Sequence, residues 1–171
     1  MLHCRGGYWV ATLPLHDACA HGGVRTPRPH FRKPVPAMHV QYVALCEQVI
    51  IGTDGKPSLI GVVSDVQVPG LPATLPRLAF AARIHFTPDE VGTQRRVDVV
   101  VKDPAGTELG RTGGDLGLPP MPPGADSLAV DLPIGFDFFE LQATGRYTFL
   151  LEIDGKASAA VQLAVRQAAN G

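Results

Sequence analysis

The sequence predicts an all-β fold, an antiparallel two-sheet sandwich of about eight strands, preceded by an irregular N-terminal extension. Three observations predict it. Apolar residues alternate with polar ones in segment after segment from residue 39 to residue 166. Turn signals of Gly, Pro and Asp separate those segments at short, regular intervals. Proline-rich connections replace tight turns where a chain would pass from one sheet to another.

The closing unit is the clearest. Tyr147, Phe149, Leu151 and Ile153 share one face of a first strand, and Ala157, Ala159, Val161, Leu163 and Val165 share one face of a second. Asp154-Gly155 between them supplies the positive φ angles of a two-residue hairpin turn. Working from the other end, Val40–Ile51 reads as a first strand with a phase slip, hence a bulge, near Glu47-Gln48. Thr53–Pro57 is a turn with Gly55 free to take positive φ, and Leu59–Val68 is the returning strand. Pro69–Pro76 is a crossover between sheets.

Arg77–Phe86 alternates cleanly, with Leu78, Phe80, Ala82, Ile84 and Phe86 inward and Arg77, Arg83 and His85 outward. Thr87–Thr93 is a loop with room for one helical turn. Arg95–Asp103 places Val97, Val99 and Val101 on one face and Arg96, Asp98 and Lys102 on the other. A shorter strand, Thr107–Thr112, follows the Pro104–Gly106 turn. Gly113–Asp126 has no period and reads as a long surface loop. Ser127–Leu132 is a strand, and Ile134–Leu141 is either a strand or a loop packed on the core. Tyr147, at the start of a late strand, occupies the position of a tyrosine corner in immunoglobulin-like, Greek-key sandwiches; a plain core aromatic is the alternative.

Residues 1–37 are different. They hold four of the six histidines, two of the three cysteines and the only tryptophan, Trp9, with five prolines and no sustained period. Strand grammar starts directly after Met38. The expectation is two parts, an extension over 1–37 and a sandwich over 38–168, with Met38 as the natural start. His3, Cys4, His16, Cys19 and His21 are zinc-ligand types, but their spacing is not that of a structural zinc site.

The formal net charge is −1, yet the part from residue 38 onward carries ten basic residues against fifteen acidic ones. An acidic body without a basic stripe argues against a nucleic-acid partner. Three sparse cysteines (Cys4, Cys19, Cys46) fit a reducing, cytoplasmic setting, and no apolar run has the length of a membrane span.

The succession Ala44-Leu-Cys-Glu47, Asp54-Gly-Lys56, Leu59-Ile-Gly-Val62, Leu75-Pro-Arg-Leu78, Gly145-Arg-Tyr-Thr-Phe149 and Ile153-Asp-Gly155 resembles a family of small bacterial proteins of unknown function. That family brackets a β-sandwich between a leading ALLCD…DGKLSVLG hairpin and a trailing GEYRFEVYVDG hairpin. The resemblance spans residues 38–166, and its motifs are turn and strand signatures. It implies a fold and no catalytic residue.

Chemistry-bearing patterns are sparse. No G-x-S-x-G elbow surrounds Ser58, Ser64, Ser127 or Ser158, and Cys46 with His85 makes a poor dyad if Cys46 lies in a strand centre. Gly110–Gly117 is glycine-rich but lacks the Gly-Lys-Ser/Thr ending of a phosphate loop. Asp115, Asp126, Asp131, Asp137 and Glu140 cluster in sequence, as a hydrolase pair or a calcium site would require, without a D-x-D-x-D-G run. No cofactor is expected.

The reading that results is a non-enzymatic module for protein interaction or scaffolding. Leu116, Leu118 and Met121, set among prolines, form its expected contact loop or else cover the end of the sandwich. The alternative is a small-ligand or carbohydrate-binding sandwich, or a hydrolase using the loop carboxylates. A deep pocket collecting several of Asp115, Asp131, Asp137, Glu140 and His85 would favour that alternative.

Overall fold

Burial of one face per strand dictates the architecture of the computed structural model, which describes residues 38–168. The extension, its histidines and cysteines, and the question of the natural start lie outside the described residues. Nine strands run in chain order: β1 His39–Ile51, β2 Pro57–Val62, β3 Asp65–Val68, β4 Ala73–Phe86, β5 Gln94–Lys102, β6 Glu108–Gly117, β7 Leu128–Leu141, β8 Gly145–Ile153 and β9 Lys156–Gln167. One sheet has the order β2-β1-β4-β7 and the other β3-β9-β8-β5-β6. The connections β2→β3, β3→β4, β4→β5, β6→β7 and β7→β8 cross between the sheets, which gives a Greek-key, immunoglobulin-like sandwich.

Inward alternation holds where it is strongest. Phe80, Ile84 and Phe86 of β4, Val99 of β5, Phe149 and Leu151 of β8 and Leu163 of β9 are all fully buried. Together they form one continuous core between the sheets. Removing apolar area from water at roughly 25 cal/mol per Å² makes this layer the main source of stability.

The turns behave as their residues require. Asp154 and Gly155 have φ of 52° and 73°, the paired positive angles of the tight hairpin joining β8 and β9. Gly55 has φ of 74° in the β1–β2 turn, where the Asp54 carboxylate accepts the Lys56 N–H at 3.2 Å. Residues 88–90 form a single 3₁₀ turn whose Glu90 carboxylate accepts the Thr87 N–H at 2.9 Å. Tyr147 is a tyrosine corner. Its hydroxyl accepts the N–H groups of Gln142 and Ala143 at 2.9 and 3.0 Å and donates to the Ala143 carbonyl at 3.2 Å. It thereby ties the β7–β8 connection to the fully packed end of the core.

Three expectations are corrected, and one open alternative, at residues 134–141, is resolved. The bulge in β1 lies between Val40 and Tyr42, while pairing with β2 keeps register across Gln48. Residues 59–68 are not one strand. Val63 N–H still bonds the Leu45 carbonyl of β1, but the Ser64 carbonyl already accepts from Ala164 of β9, so the chain changes sheets at that bond. From there β3 pairs in parallel with β9, the exception to an antiparallel plan. Residues 128–141 form one strand through Pro133. Gly113–Gly117, read as loop, continue the ladder of β6 against β5. Glycines carry no side-chain alternation, so this part of the strand was invisible to a periodicity reading.

Candidate functional site

The residues expected to form a contact loop do not project outward. Leu116 lies within β6 opposite Arg95, Leu118 is 5% exposed, and Met121 is half-buried, all three packed on the core. They close the end of the sandwich. Fixed by backbone bonds between Leu118 and both Thr93 and Gly92, this segment is a cover and not a free apolar surface.

The carboxylates do not converge either. Asp115 belongs to β6 in one sheet, whereas Asp131, Asp137 and Glu140 belong to β7 in the other. Asp131 is held by a two-point contact from Arg83, Nε–Oδ1 at 2.8 Å and Nη2–Oδ2 at 2.7 Å, and takes a longer bond from the Tyr42 hydroxyl. Burial and the adjacent Asp131 push that phenol's pKa up. Asp137 borders an open depression of about 350 Å³ with Arg77, Glu47 and Gln48. Among the described residues, no group of three or more His, Cys, Asp or Glu side chains is placed to hold a metal ion.

The dyad of Cys46 and His85 does not form. Cys46 pairs with Ala79, six positions along β4 from His85, roughly 20 Å at strand rise. Burial pushes the Cys46 thiol pKa up, as for a core cysteine. His85 instead stacks on His39 with ring centres 4.8 Å apart. Its Nδ1 and Nε2 lie 3.2 and 2.9 Å from Ser127 Oγ and Gln41 Oε1. With Gln41 Oε1 as acceptor, Nε2 carries the proton and Nδ1 accepts the Ser127 hydroxyl. Burial, then the neighbouring His39 and Arg83, lower the imidazole pKa.

The feature that stands out is the flank where β6 and β7 end their sheets. The β5 residues Val97, Val99 and Val101 point into the core, so their partners Gly114, Thr112 and Gly110 hold the inward positions of β6. Two of these three are glycine, and even Thr112 is exposed. No side chain from β6 fills the gap there. Two grooves result. One, of about 360 Å³, is lined by Val97, Gly114, Leu116, Leu132 and Ile134; the other, of about 250 Å³, by Val101, Leu109, Gly110, Phe136 and Phe139. Leu109 is 49% exposed at this rim.

Gly113 has a separate cause. It pairs with Asp98, and a Cβ built on it would overlap the Val97 carbonyl and lie 2.6 Å from Asp98 Oδ1. The Asp98 side chain lies over that glycine and is buried, with Arg96 gripping both carboxylate oxygens at 2.8–3.2 Å. Those bonds hold the Asp98 carboxyl below the usual carboxylate range. A side chain at position 113 would displace this ion pair.

The chain belongs to a family of unknown function, DUF6941, whose family model matches residues 41–166. No curated protein matches it. Among solved structures it is similar to an immunoglobulin-like protein from Pseudomonas aeruginosa, with 12% identity, a TM-score of 0.40, and coverage of 77% of this chain and 98% of that one. It is also similar to part of the alkylpurine DNA glycosylase AlkC of Pseudomonas fluorescens, solved with DNA containing an abasic-site analogue. There the identity is 10%, the TM-score 0.42 and the coverage 77% of this chain, which spans only 31% of the glycosylase chain. Among the described residues, no helix is long and apolar enough to cross a membrane.

Proposed function

We propose that the chain is a non-enzymatic β-sandwich module that binds another protein along the open flank between β6 and β7. One observation carries this reading: an apolar slot left by Gly110 and Gly114 runs beside a β-strand edge that has no partner among the described residues. An added strand would gain main-chain hydrogen bonds from that edge, and its alternate side chains would enter the slot. Of the acids and the histidine that an enzyme reading needs, Asp115 lies in the other sheet from Asp131, Asp137 and Glu140, Asp131 is held by Arg83, and His85 is bonded to Gln41. A cytoplasmic setting belongs to the same proposal, in line with the free, buried Cys46.

The test is a photo-crosslinking amino acid placed in the native host at Leu109, at the rim of the slot, and at Gln162, on β9 away from it. The proposal expects a discrete protein adduct from position 109 and none from position 162. No adduct at 109, or the same adducts from both positions, would overturn it.

A further inference from the structure

Among the described residues, edge strands are guarded, with one exception. Strand β2 has six residues, begins at Pro57 and contains Gly61 with φ of 63°. Strand β3 is four residues long. Strand β7 carries Pro133 and has Phe138 in a left-handed conformation at φ of 56°. Proline, brevity and local kinks of this kind discourage pairing with another chain. Strand β6 has ten residues, no proline and no positive φ, and from Gly110 to Gly117 its pairing with β5 is unbroken, the one irregularity lying at Leu109.

Hydrogen bonding fixes which β6 residues face outward along the edge. The Arg96 carbonyl accepts from Asp154 N–H, so Arg96 faces β8, and its neighbours Val97, Val99 and Val101 face β6. Their partners Gly114, Thr112 and Gly110 therefore face β5. The alternate residues Arg111, Gly113, Asp115 and Gly117 direct their N–H and C=O groups to the free edge, while Leu109 sits in the irregularity that shifts the register opposite Val101 and Lys102.

These residues are self-complementary. In a two-fold antiparallel pairing centred on Gly113, Gly113 meets Gly113 and Arg111 meets Asp115 twice. This register sets opposite charges face to face. Arg111 and Asp115 lie on the same face of β6, and Asp115 is 65% exposed with one loose contact, 3.8 Å to Arg96. Arg111 is bonded through Nε and Nη1 to Glu108 and Glu152, which leaves Nη2 for a further acceptor. On the inward side the same register sets Leu116 opposite Gly110, a large side chain beside an empty position.

We propose that the β6 edge pairs with β6 of a second copy of this chain, joining the two five-stranded sheets into one. This deepens the interaction reading by naming the occupant of the strand edge, and it rests on that reading.

Sedimentation velocity of the purified full-length chain over a range of micromolar concentrations tests it. Wild type should double its apparent mass as concentration rises. Arg111→Asp and Asp115→Arg should each lose self-association at least tenfold. Their equimolar mixture should associate, because an edge with acids at both positions then faces an edge with bases at both. The double variant, which exchanges the two charges within one chain, should regain dimerisation. If Arg111→Asp fails to fold, Asp115→Pro serves instead: it deletes an outward N–H and a carboxylate but no bond to β5, and should weaken association while leaving the melting transition in place. Wild type that stays monomeric throughout, or single charge reversals that associate like wild type, would overturn the dimer. A monomeric wild type that still gives a foreign-protein adduct at position 109 would leave the broader interaction reading standing.

Discussion

The two flanks of this sandwich obey the same alternation and reach opposite results. At the β8–β9 side every inward position carries a side chain: Tyr147, Phe149, Leu151 and Ile153 on one strand, with Leu163 and Val165 fully enclosed on the next. At the β6–β7 side the inward positions of β6 hold Gly110, Thr112 and Gly114, and the facing aromatics of β7 are only half-covered. Phe136 and Phe139 contact Phe149 with ring centres 5.4 and 5.6 Å apart, so the closed flank supplies the wall against which the open one rests. The difference teaches that a strand can be kept for its backbone. Closed strands store stability in side chains, and β6 offers a hydrogen-bonding edge with room beside it.

Substitutions can break or sharpen that contrast. The largest effect belongs to Phe149→Ala, which empties a fully buried site and should destabilise by about 3–5 kcal/mol in chemical denaturation. Phe136→Ala, in the half-covered layer, should cost about half as much, and equal costs would erase the distinction between the flanks. Neighbouring glycines of β6 give the next contrast. Gly113→Ala drives a Cβ into the Val97 carbonyl and the Asp98 carboxylate and should cost about 1–3 kcal/mol. Gly114→Ala meets nothing within 4 Å and should be neutral or stabilising by up to about 1 kcal/mol. Tyr147→Phe should cost about 1–3 kcal/mol, since it strands the amides of Gln142 and Ala143 in the corner. Smallest is the difference at the closing turn. Gly155→Val, at φ of 73°, should cost about 1–3 kcal/mol, and Gly155→Asn a fraction of that.

The same contrast explains what was legible in the sequence. Where inward positions are occupied, as in Leu78-Ala-Phe80-Ala-Ala82-Arg-Ile84, alternation names both the strand and its buried face. Asp154-Gly155 names its turn because only certain residues tolerate two positive φ angles in succession. Strand β6 hid beyond Thr112 because Gly113, Gly114 and Gly117 present no side-chain pattern, and its pairing is decided by β5. Yet a signal was present: Gly110, Thr112, Gly114 and Leu116 continue the two-residue period with glycine standing where a core side chain would be. Leu116, Leu118 and Met121 leave two readings open in the sequence, because prolines around them suit an exposed loop while apolar side chains at the mouth of a sandwich gain more by closing it.

Amide hydrogen exchange along β6 tests most directly whether this edge is free in the monomer and paired on association. In dilute protein the amides of Arg111, Gly113, Asp115 and Gly117 should exchange fast, while those of Gly110, Thr112, Gly114 and Leu116, bonded to β5, stay protected. Raising the concentration should slow the first set and leave the second unchanged. An alternating pattern that ignores concentration, or outward amides protected even at the highest dilution, would contradict the account.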